Sequence, residues 1–451
     1  MSATKGLPVI TRRNFLNLGA RAGLASATAP LWLNLTASRA LAQAAGSYKA
    51  IVVVTLPGGN DGNNMVVPLD SSTYAEYLAL RRSLALSPGV CHALNATGGA
   101  PTYGLHPSLP NVAALYNRGG AAIVANVGPL QAPATKQQLL ANSALIPQSL
   151  LSHPVGIAQW ESASASANPS TGWGGRMADL LAAQSGSLPP LLDAGPASIF
   201  TVGRTVQAVA LQANTGTFVA LPAGLDAAAL AIARNDAAST NEIVAQAAKL
   251  RVAAASEQVI LSQAQAAGAS LQTAFPGSNF GNAMKAIAQV INGRSVIGAA
   301  RQIFYCNQGF YDTHITQLAI QRDNLAELDA GLGAFMQALT EMGLTNEVLV
   351  CTHSDFSRSM QANATAGTDH AWGNHQLLLG GGIVGGRIYG TMPALELGGS
   401  SDLTQQGIWI PTTSVTQMTA GIGSWMGLNA SQLNTVFPDL ANFSGNGLSF
   451  T

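Results

Sequence analysis

The stretch that decides the fold runs from Tyr48 to Asn64 and reads YKAIVVVTLPGGNDGNN. Its first nine residues are rich in β-branched side chains and close at a Pro-Gly-Gly turn, which predicts a buried strand of the parallel type. Asp61 follows in a turn rich in Gly and Asn. Because ligands bind beyond the carboxyl ends of strands in open parallel sheets, Asp61 is a candidate binding residue. Taken alone, the motif is more simply an Asx turn in which Gly supplies positive φ.

The rest of the chain predicts strands that alternate with helices. Helices are predicted at residues 74–84, 106–118, 176–184 and 315–342, and further strands at 121–127, 348–352 and 376–379. This alternation predicts an α/β fold with a doubly wound, mostly parallel sheet flanked by helices.

Two long segments depart from that alternation. Residues 129–175 are rich in Ser, Ala, Pro and Gly and are predicted to be mainly loop. Residues 226–266 are rich in Ala and Gln with helical spacing, which predicts a helical insertion; the composition equally describes a pair of surface helices. The mature length of about 400 residues suits one large elaborated domain or two domains.

The N-terminus has the features of an export signal. Arg12 and Arg13 precede a mildly apolar run from Leu16 to Leu35, and small residues follow it. The pattern predicts a twin-arginine signal peptide over residues 1–44, cleaved after Ala42 or Ala44. A membrane span is the weaker interpretation, because the run is interrupted and about 20 continuous apolar residues would be expected. The mature protein is therefore expected in the periplasm or outside the cell, with no integral membrane segment.

Charge and cysteine content bear on the partners and the cofactors. Residues 1–44 hold five basic residues and no acidic one, so the mature chain carries 16 basic and 21 acidic residues, a net charge of about −5. That balance argues against nucleic acid or anionic lipid as the main partner. Three cysteines do not make a disulfide framework, and a pairing of Cys91 with Cys306 stays open. No C-x-x-C motif is present, which argues against iron–sulfur and zinc-ribbon sites.

Histidine and aspartate are concentrated in one part of the chain. Four of the seven histidines fall within residues 314–375, next to three aspartates, in a chain with only 9% charged residues. The seven residues are His314, His353, His370, His375, Asp312, Asp355 and Asp369. Imidazole and carboxylate are the ligands of hydrolytic Zn²⁺ or Mn²⁺ centres, so a metal centre is the first functional hypothesis.

Spacing narrows the set of candidate ligands. Asp312 and His314 precede the long predicted helix at an i, i+2 spacing, which places both side chains on one face of an extended segment. For this motif alone, a helix N-cap by Asp312 is an equally good interpretation. Asp355 lies just past the strand at 348–352 and should face the same sheet edge as Asp61.

These motifs, in this order, resemble the DUF1501 family of exported bacterial proteins, which is related to the alkaline phosphatase and sulfatase superfamily. The motifs are LPGGNDGNNMVVP (56–68), GLHP (104–107), TGWGGR (171–176), GFYDTH (309–314), SDFSRS (354–359), GTDHAWG (367–373) and IPTTSV (410–415). Together with the export signal they cover nearly the whole chain. The resemblance implies an alkaline phosphatase-like domain over residues 45–451.

The resemblance also implies a metal centre with one or two divalent ions, Zn, Mn or Ca. By position, the implied ligands are Asp61, Asp312, His314, Asp355 and His370. Alkaline phosphatases continue the motif at Asp355 with a histidine, where this chain has Phe356. That departure puts a complete two-ion site in doubt.

The nucleophile is less clear. The superfamily places Ser, Thr or a modified Cys at a helix N-terminus, where backbone amides favour an anion. Ser152 and Thr171 both occupy suitable places, with a slight preference for Ser152, although the segment after it departs from the Ser-His-Phe-Asp-Ala common in the family. Arg176 and Arg358 are candidates to steady the transferring group, the alternative for each being a surface ion pair.

Three functional hypotheses remain. The first is a periplasmic metal-dependent hydrolase of small anionic phosphate or sulfate esters. The second is a non-catalytic binding or assembly protein that keeps the fold, with or without one structural ion, since fold does not guarantee chemistry. The third, an exported redox enzyme, lacks any cofactor motif. The sequence leaves the substrate, the oligomeric state and protein partners open.

Overall fold

The computed structural model describes residues 48–95, 102–211, 225–445 and 447–451. The predicted export signal, residues 1–44, lies outside this part of the chain and stays a prediction. Among the described residues, no helix is both long and apolar enough to span a membrane.

The described chain alternates strands and helices. The strands are β1 Lys49–Leu56, β2 Val66–Pro68, β3 His92–Ala93, β4 Tyr103–Leu105, β5 Ala121–Gly128, β6 Leu191–Asp193, β7 Val209–Ala210, β8 Arg301–Asn307, β9 Val348–Ser354, β10 Ser357–Arg358, β11 His370–Ala371, β12 Asn374–Gly380, β13 Ile388–Tyr389 and β14 Thr413–Ser414. The α-helices are α1 Gly62–Met65, α2 Ser71–Arg81, α3 Pro110–Asn117, α4 Lys136–Ala141, α5 His153–Ser162, α6 Trp173–Leu181, α7 Leu225–Asp236, α8 Glu242–Ala267, α9 Asn279–Asn292, α10 Arg294–Ile297, α11 Gln317–Met342, α12 Val415–Met426 and α13 Ala430–Val436.

The main sheet contains nine strands in the described chain, in the order β13-β5-β12-β9-β1-β8-β6-β7, with β14 also beside β5. β1 pairs in parallel with β8 on one side and with β9 on the other. β12 is antiparallel to both of its neighbours, β5 and β9. The sheet is therefore mostly parallel with one reversed strand.

Both faces of the sheet are covered, as the apolar sequence of β1 predicts. Ala50, Val52 and Val54 belong to one hydrophobic core, which includes residues of α9 and α11. Ile51 and Val53 point to the other face and join a second core, which includes residues of α6 and α12. The alternation along one strand thus confirms the predicted doubly wound arrangement.

The predicted strands at the centre and the long helix α11 are confirmed, and residues 129–175, although mostly without regular structure, also contain two helices that their composition did not predict. This segment contains α4 and α5. Its Ser and Thr act as helix starts: Thr135 forms a capping box with Gln138, and Ser152 precedes α5, which has Pro in its first turn. Polar residues that suggest turns therefore stand at helix starts, and Thr135 caps its helix whereas the Ser152 side chain makes no capping bond.

The helices predicted within residues 226–266 are confirmed as the pair α7 and α8. The side chain of Asn241 accepts from two backbone amides at the start of α8. Leu261 and Ala264, near the end of α8, are buried in the core that includes α9 and α11. The insertion is therefore anchored by its second helix.

Candidate metal centre

Three predicted aspartates follow three neighbouring strands. Asp61 comes after β1, Asp312 after β8 and Asp355 after β9, and these strands are adjacent and parallel. β12 runs the other way, so its beginning, close to His370, reaches the same edge. The site therefore forms at the carboxyl ends of the parallel strands, where open α/β sheets bind ligands.

Asp312 and His314 share the outward face of an extended segment, as their spacing predicts. The intervening residues, Tyr311 and Thr313, are buried, whereas Asp312 and His314 are partly exposed. The His314 Nε2 atom lies 3.1 Å from Asp312 Oδ1. This face of the segment supplies one side of the site.

His153, the first residue of α5, supplies the opposite side. Its Nδ1 lies 2.7 Å from Asp355 Oδ2, and the Asp355 carboxylate accepts from the backbone amide of Gly58 at 2.9 Å. The carboxylate therefore holds the ring with its proton on Nδ1. Within the described residues His153 Nε2 has no hydrogen-bond partner, and Asp312 Oδ2 lies 3.4 Å from it.

His370 and His314 are held in the same way as His153. His370 Nδ1 lies 2.7 Å from the carbonyl oxygen of Leu151, which can only accept, so Nδ1 carries the proton. His314 Nδ1 lies 3.1 Å from a carboxylate oxygen of Asp369. The Nε2 atoms of His314 and His370 then face each other at 3.0 Å.

This donor set fits a divalent metal ion. Neutral imidazole nitrogens without protons repel each other at 3.0 Å unless one gains a proton or a cation lies among them. One atom each from His153, Asp312 and His370 lies within 4.8 Å of the others. Separations of 3.0 to 3.4 Å among the Nε2 and Asp312 oxygen atoms resemble the spacing of about 3.4 Å between ligands of tetrahedral zinc.

Charged neighbours set the ionisation of the site. Burial opposes ionisation of Asp312, but the hydrogen bond and the charge of Arg358 hold its pKa below the ordinary value. The hydrogen bond to Asp355 raises the pKa of His153, while burial lowers the pKa of His370. Asp312 is therefore a carboxylate at neutral pH, available as an anionic ligand.

Phe356 is the position at which this site differs from the alkaline phosphatase pattern, which has a histidine there. Its ring is buried, with its centroid 4.4 Å from that of His370 and 4.8 Å from that of His153. A Cβ on Gly59 would lie 2.6 Å from the Phe356 ring, so the glycine makes room for it. An apolar ring thus packs against two of the histidines, in the place of a possible ligand.

Asp61 lies at the predicted edge but has other partners. Its carboxylate is paired with the guanidinium of the buried Arg81 and accepts from Gln317 Nε2 and from the backbone amide of Asn63. All of these groups are buried. The structure therefore brings Asp61 to the site's edge without placing it in the group around Asp312.

Arg358 supports the site without facing a substrate. Its side chain is fully buried and ion-paired with Asp312. The remaining donors bind the backbone carbonyls of Gly58, Gly59 and Thr368. This arginine orients Asp312, so the predicted contact with a transferring group is not available to it.

Thr171 and Arg176 are not brought to the site. Arg176 binds the carbonyl oxygen of Ser162, at the C-terminal end of α5, and both oxygen atoms of Thr171. His153 starts the same helix, about 14 Å away at 1.5 Å per residue. Ser152, in contrast, is next to His153 and makes no side-chain capping bond.

Only two of the four histidines clustered in the sequence, His314 and His370, lie at the candidate centre. His353 and His375 are buried, and burial lowers their pKa to about 3 and about 4, so both are neutral. His375 Nδ1 accepts from the backbone amide of Asn126 at 3.0 Å. His153 replaces them at the site. The signal for it in the sequence was the Ser152-His153 pair, which matches the start of the Ser-His-Phe-Asp-Ala motif common in the family.

A family model described as a protein of unknown function (DUF1501) matches residues 48–437. The chain belongs to the DUF1501 family. All of the candidate site residues lie within the part of this DUF1501 protein that the family model matches. No curated protein matches the chain.

Solved structures resemble this DUF1501 protein at low identity. A sulfatase, PsFucS1 from Pseudoalteromonas sp., is 12% identical over 93% of this chain and 76% of its own, with a TM-score of 0.34. The lipoteichoic acid synthase LtaP from Listeria monocytogenes is 9% identical over 82% and 77%, with a TM-score of 0.30. The phosphonate monoester hydrolase SpPMH from Silicibacter pomeroyi is 13% identical over 38% and 25%, with a TM-score of 0.17. These values are too low to transfer an activity to this chain.

Proposed function

We propose that this protein is a metal-dependent hydrolase of phosphate or sulfate esters. The observation that carries the proposal is the convergence of the Nε2 atoms of His153, His314 and His370 on the carboxylate of Asp312. Two histidines and a carboxylate suit a catalytic Zn²⁺ or Mn²⁺ site better than a Ca²⁺ site, since Ca²⁺ prefers oxygen ligands.

The protein prepares this site for one ion, which His153, Asp312 and His370 would hold. When bound, the ion supplies Lewis acidity to an ester oxygen. Asp355 and the carbonyl of Leu151 fix the orientation of two of the rings, as outer partners of metal-binding histidines do. Arg358 keeps Asp312 ionised and in place.

Ser152 is the nucleophile that we propose. It starts α5 beside His153, and its hydroxyl makes no capping bond to the helix. The hydroxyl oxygen would form a bond to phosphorus or sulfur as the bond to the alcohol oxygen breaks, and the serine proton would pass to the departing alcohol. Water then releases phosphate or sulfate and restores the serine. The helix N-terminus favours the anionic group, although Pro154 removes one backbone donor.

A non-catalytic role is the second candidate, and the pairing of Asp61 with Arg81 favours it. That ion pair occupies a carboxylate which the superfamily pattern assigns to the metal. Phe356 likewise offers no ligand atom. A single structural ion in a binding protein is compatible with both features.

The test combines metal analysis with a substrate screen. Protein never exposed to chelator should contain close to one equivalent of Zn or Mn, and Asp312→Ala with His370→Ala should abolish it. Asp323→Ala, an exposed position on α11, is the control and should keep the metal. The wild-type protein should hydrolyse at least one class among aryl phosphates, phosphodiesters and aryl sulfates, and Ser152→Ala should lose that activity. Absence of metal from the wild type contradicts the proposal, and metal without hydrolysis favours the binding role.

A further inference from the structure

Three exposed apolar side chains flank the candidate ligands. Phe310 is 64% exposed and stands two residues before Asp312, and Ile315 is 58% exposed and follows His314 directly. Leu151 is 36% exposed, and its carbonyl oxygen accepts the hydrogen bond from His370 Nδ1. Each side of the centre therefore carries a large apolar side chain in contact with water.

Phe310 shares the outward face of Asp312 and His314. Along this extended segment the buried residues are Tyr311 and Thr313, so residues 310, 312 and 314 point outward together. The Phe310 backbone is also fixed, because its carbonyl oxygen accepts from Asn324 Nδ2 on α11 at 2.9 Å. The aromatic ring thus extends the surface that begins with the ligands.

The centre opens directly onto this surface. Two large cavities of the described chain, of about 900 and 800 Å³, are lined by other residues. The side chains of Asp312 and His314 are themselves partly exposed. The rim around the centre therefore includes these three apolar side chains beside the exposed polar side chains of His314 and Asp369.

We infer that Phe310, Ile315 and Leu151 form an apolar subsite for the organic group of the ester. This inference rests on the proposed function and names its substrate class: esters of aryl or alkyl alcohols rather than of sugars or other polar alcohols. Phe310 and Ile315 lie within two residues of Asp312 and His314, and Leu151 bonds His370 through its backbone, so all three border the centre. Apolar side chains beside a site commonly bind the apolar part of its ligand. Covering one face of a phenyl ring on this rim removes about 50 Å² of apolar surface from water, which corresponds to about a tenfold gain in affinity.

The test uses two phosphonates that cannot be hydrolysed as esters. Binding of phenylphosphonate and methylphosphonate to the full, Zn-loaded protein is measured by calorimetry. We expect phenylphosphonate to bind about ten times more tightly. The double variant Phe310→Ser with Ile315→Ser should lose that preference, with its zinc content unchanged and its methylphosphonate affinity within about twofold of the wild type.

Matched controls separate this subsite from general surface effects. Leu140 is 63% exposed on α4 and Val259 is 58% exposed on α8, so Leu140→Ser with Val259→Ser removes equivalent apolar surface elsewhere. This control variant should keep the full preference for phenylphosphonate over methylphosphonate. Equal affinity of the two phosphonates for the wild type, or an equal loss of both in the rim variant, overturns the subsite and leaves the hydrolase proposal intact. If neither phosphonate binds to zinc-loaded protein, the proposed function and the subsite fall together.

Discussion

Each of the three histidines at the candidate centre is held through its Nδ1 atom, and the acceptors differ. His153 uses the buried Asp355, His370 uses the backbone of Leu151, and His314 uses the exposed Asp369. An acceptor at Nδ1 leaves the Nε2 lone pair free for a metal, so three unrelated contacts produce the same tautomer. The orientation and tautomer of each histidine are thus set by its own separate contact.

The buried ion pair of Asp61 and Arg81 should contribute strongly to the stability of the folded protein. Both side chains are fully buried, and burial lowers the pKa of Arg81 to about 9. Arg81→Met leaves the Asp61 carboxylate without a cationic partner in the interior, so the free energy of unfolding should fall by about 3–5 kcal/mol. Urea unfolding at pH 7 measures the change.

Two further variants give this prediction its controls. Arg322→Met removes a cation from an exposed pair with Asp323 and should leave the urea midpoint unchanged. Asp61→Asn combined with Arg81→Met removes both charges and should recover part of the lost stability. If the double variant is less stable than Arg81→Met alone, an unpaired buried carboxylate is not the cause of the loss.

Element directions bring these side chains together. The parallel strands β8, β1 and β9 end at the site, while the reversed strand β12 begins there. The start of α5 then closes the group from the side, because His153 is its first residue. A change of register or direction in β8, α5 or β12 would displace a candidate ligand, and one in β9 would displace the partner of His153.

Packing of the insertion gives the prediction at the element scale. Gly268, at the end of α8, packs against α9, and Gly293, after α9, packs against α8. A Cβ on Gly293 would overlap the carbonyl oxygen of Ala264. Gly293→Ala should therefore cost about 1–3 kcal/mol of unfolding free energy by forcing α8 away from α9. Thermal and urea unfolding measure this loss.

Gly277 offers a matched control for this substitution. A Cβ at Gly277 would meet nothing within 4 Å, so Gly277→Ala should leave stability unchanged or slightly raised. Equal stability of the two alanine variants would show that the helices tolerate a wider separation.

Buried histidines should make the stability of the whole molecule depend on pH. Burial lowers the pKa of both His106 and His375 to about 4, against about 6.5 in an unfolded chain. Between these values the unfolded state binds more protons, so stability is complete above pH 6.5 and is lost as the pH falls toward 4. Each histidine accounts for about 3 kcal/mol across that range.

His106→Gln tests this pH dependence away from the candidate centre. Its amide oxygen can accept from the backbone amide of Ser108, as His106 Nδ1 does at 3.0 Å. Urea unfolding from pH 7 to 4.5, with chelator present, should show a shallower loss of stability in this variant than in the wild type. Parallel curves would mean that the pKa of His106 does not differ between the folded and the unfolded chain.

The sequence alone was enough for the fold class, the central strands and the family. β1 is an uninterrupted apolar run, and Asp61, Asp312 and Asp355 each follow a strand, so local composition predicted the edge at which they meet. Such patterns are readable because strand burial and helix periodicity depend on residues close in sequence.

Only the tertiary structure decided which side chains form the centre. His153 and Asp355 are 202 residues apart in the chain, yet their contact orients a ligand that composition did not single out. The same folding sends His353 and His375 into the interior and pairs Asp61 with Arg81. These outcomes depend on strand direction and on contacts between distant residues, and no local pattern encodes either of them.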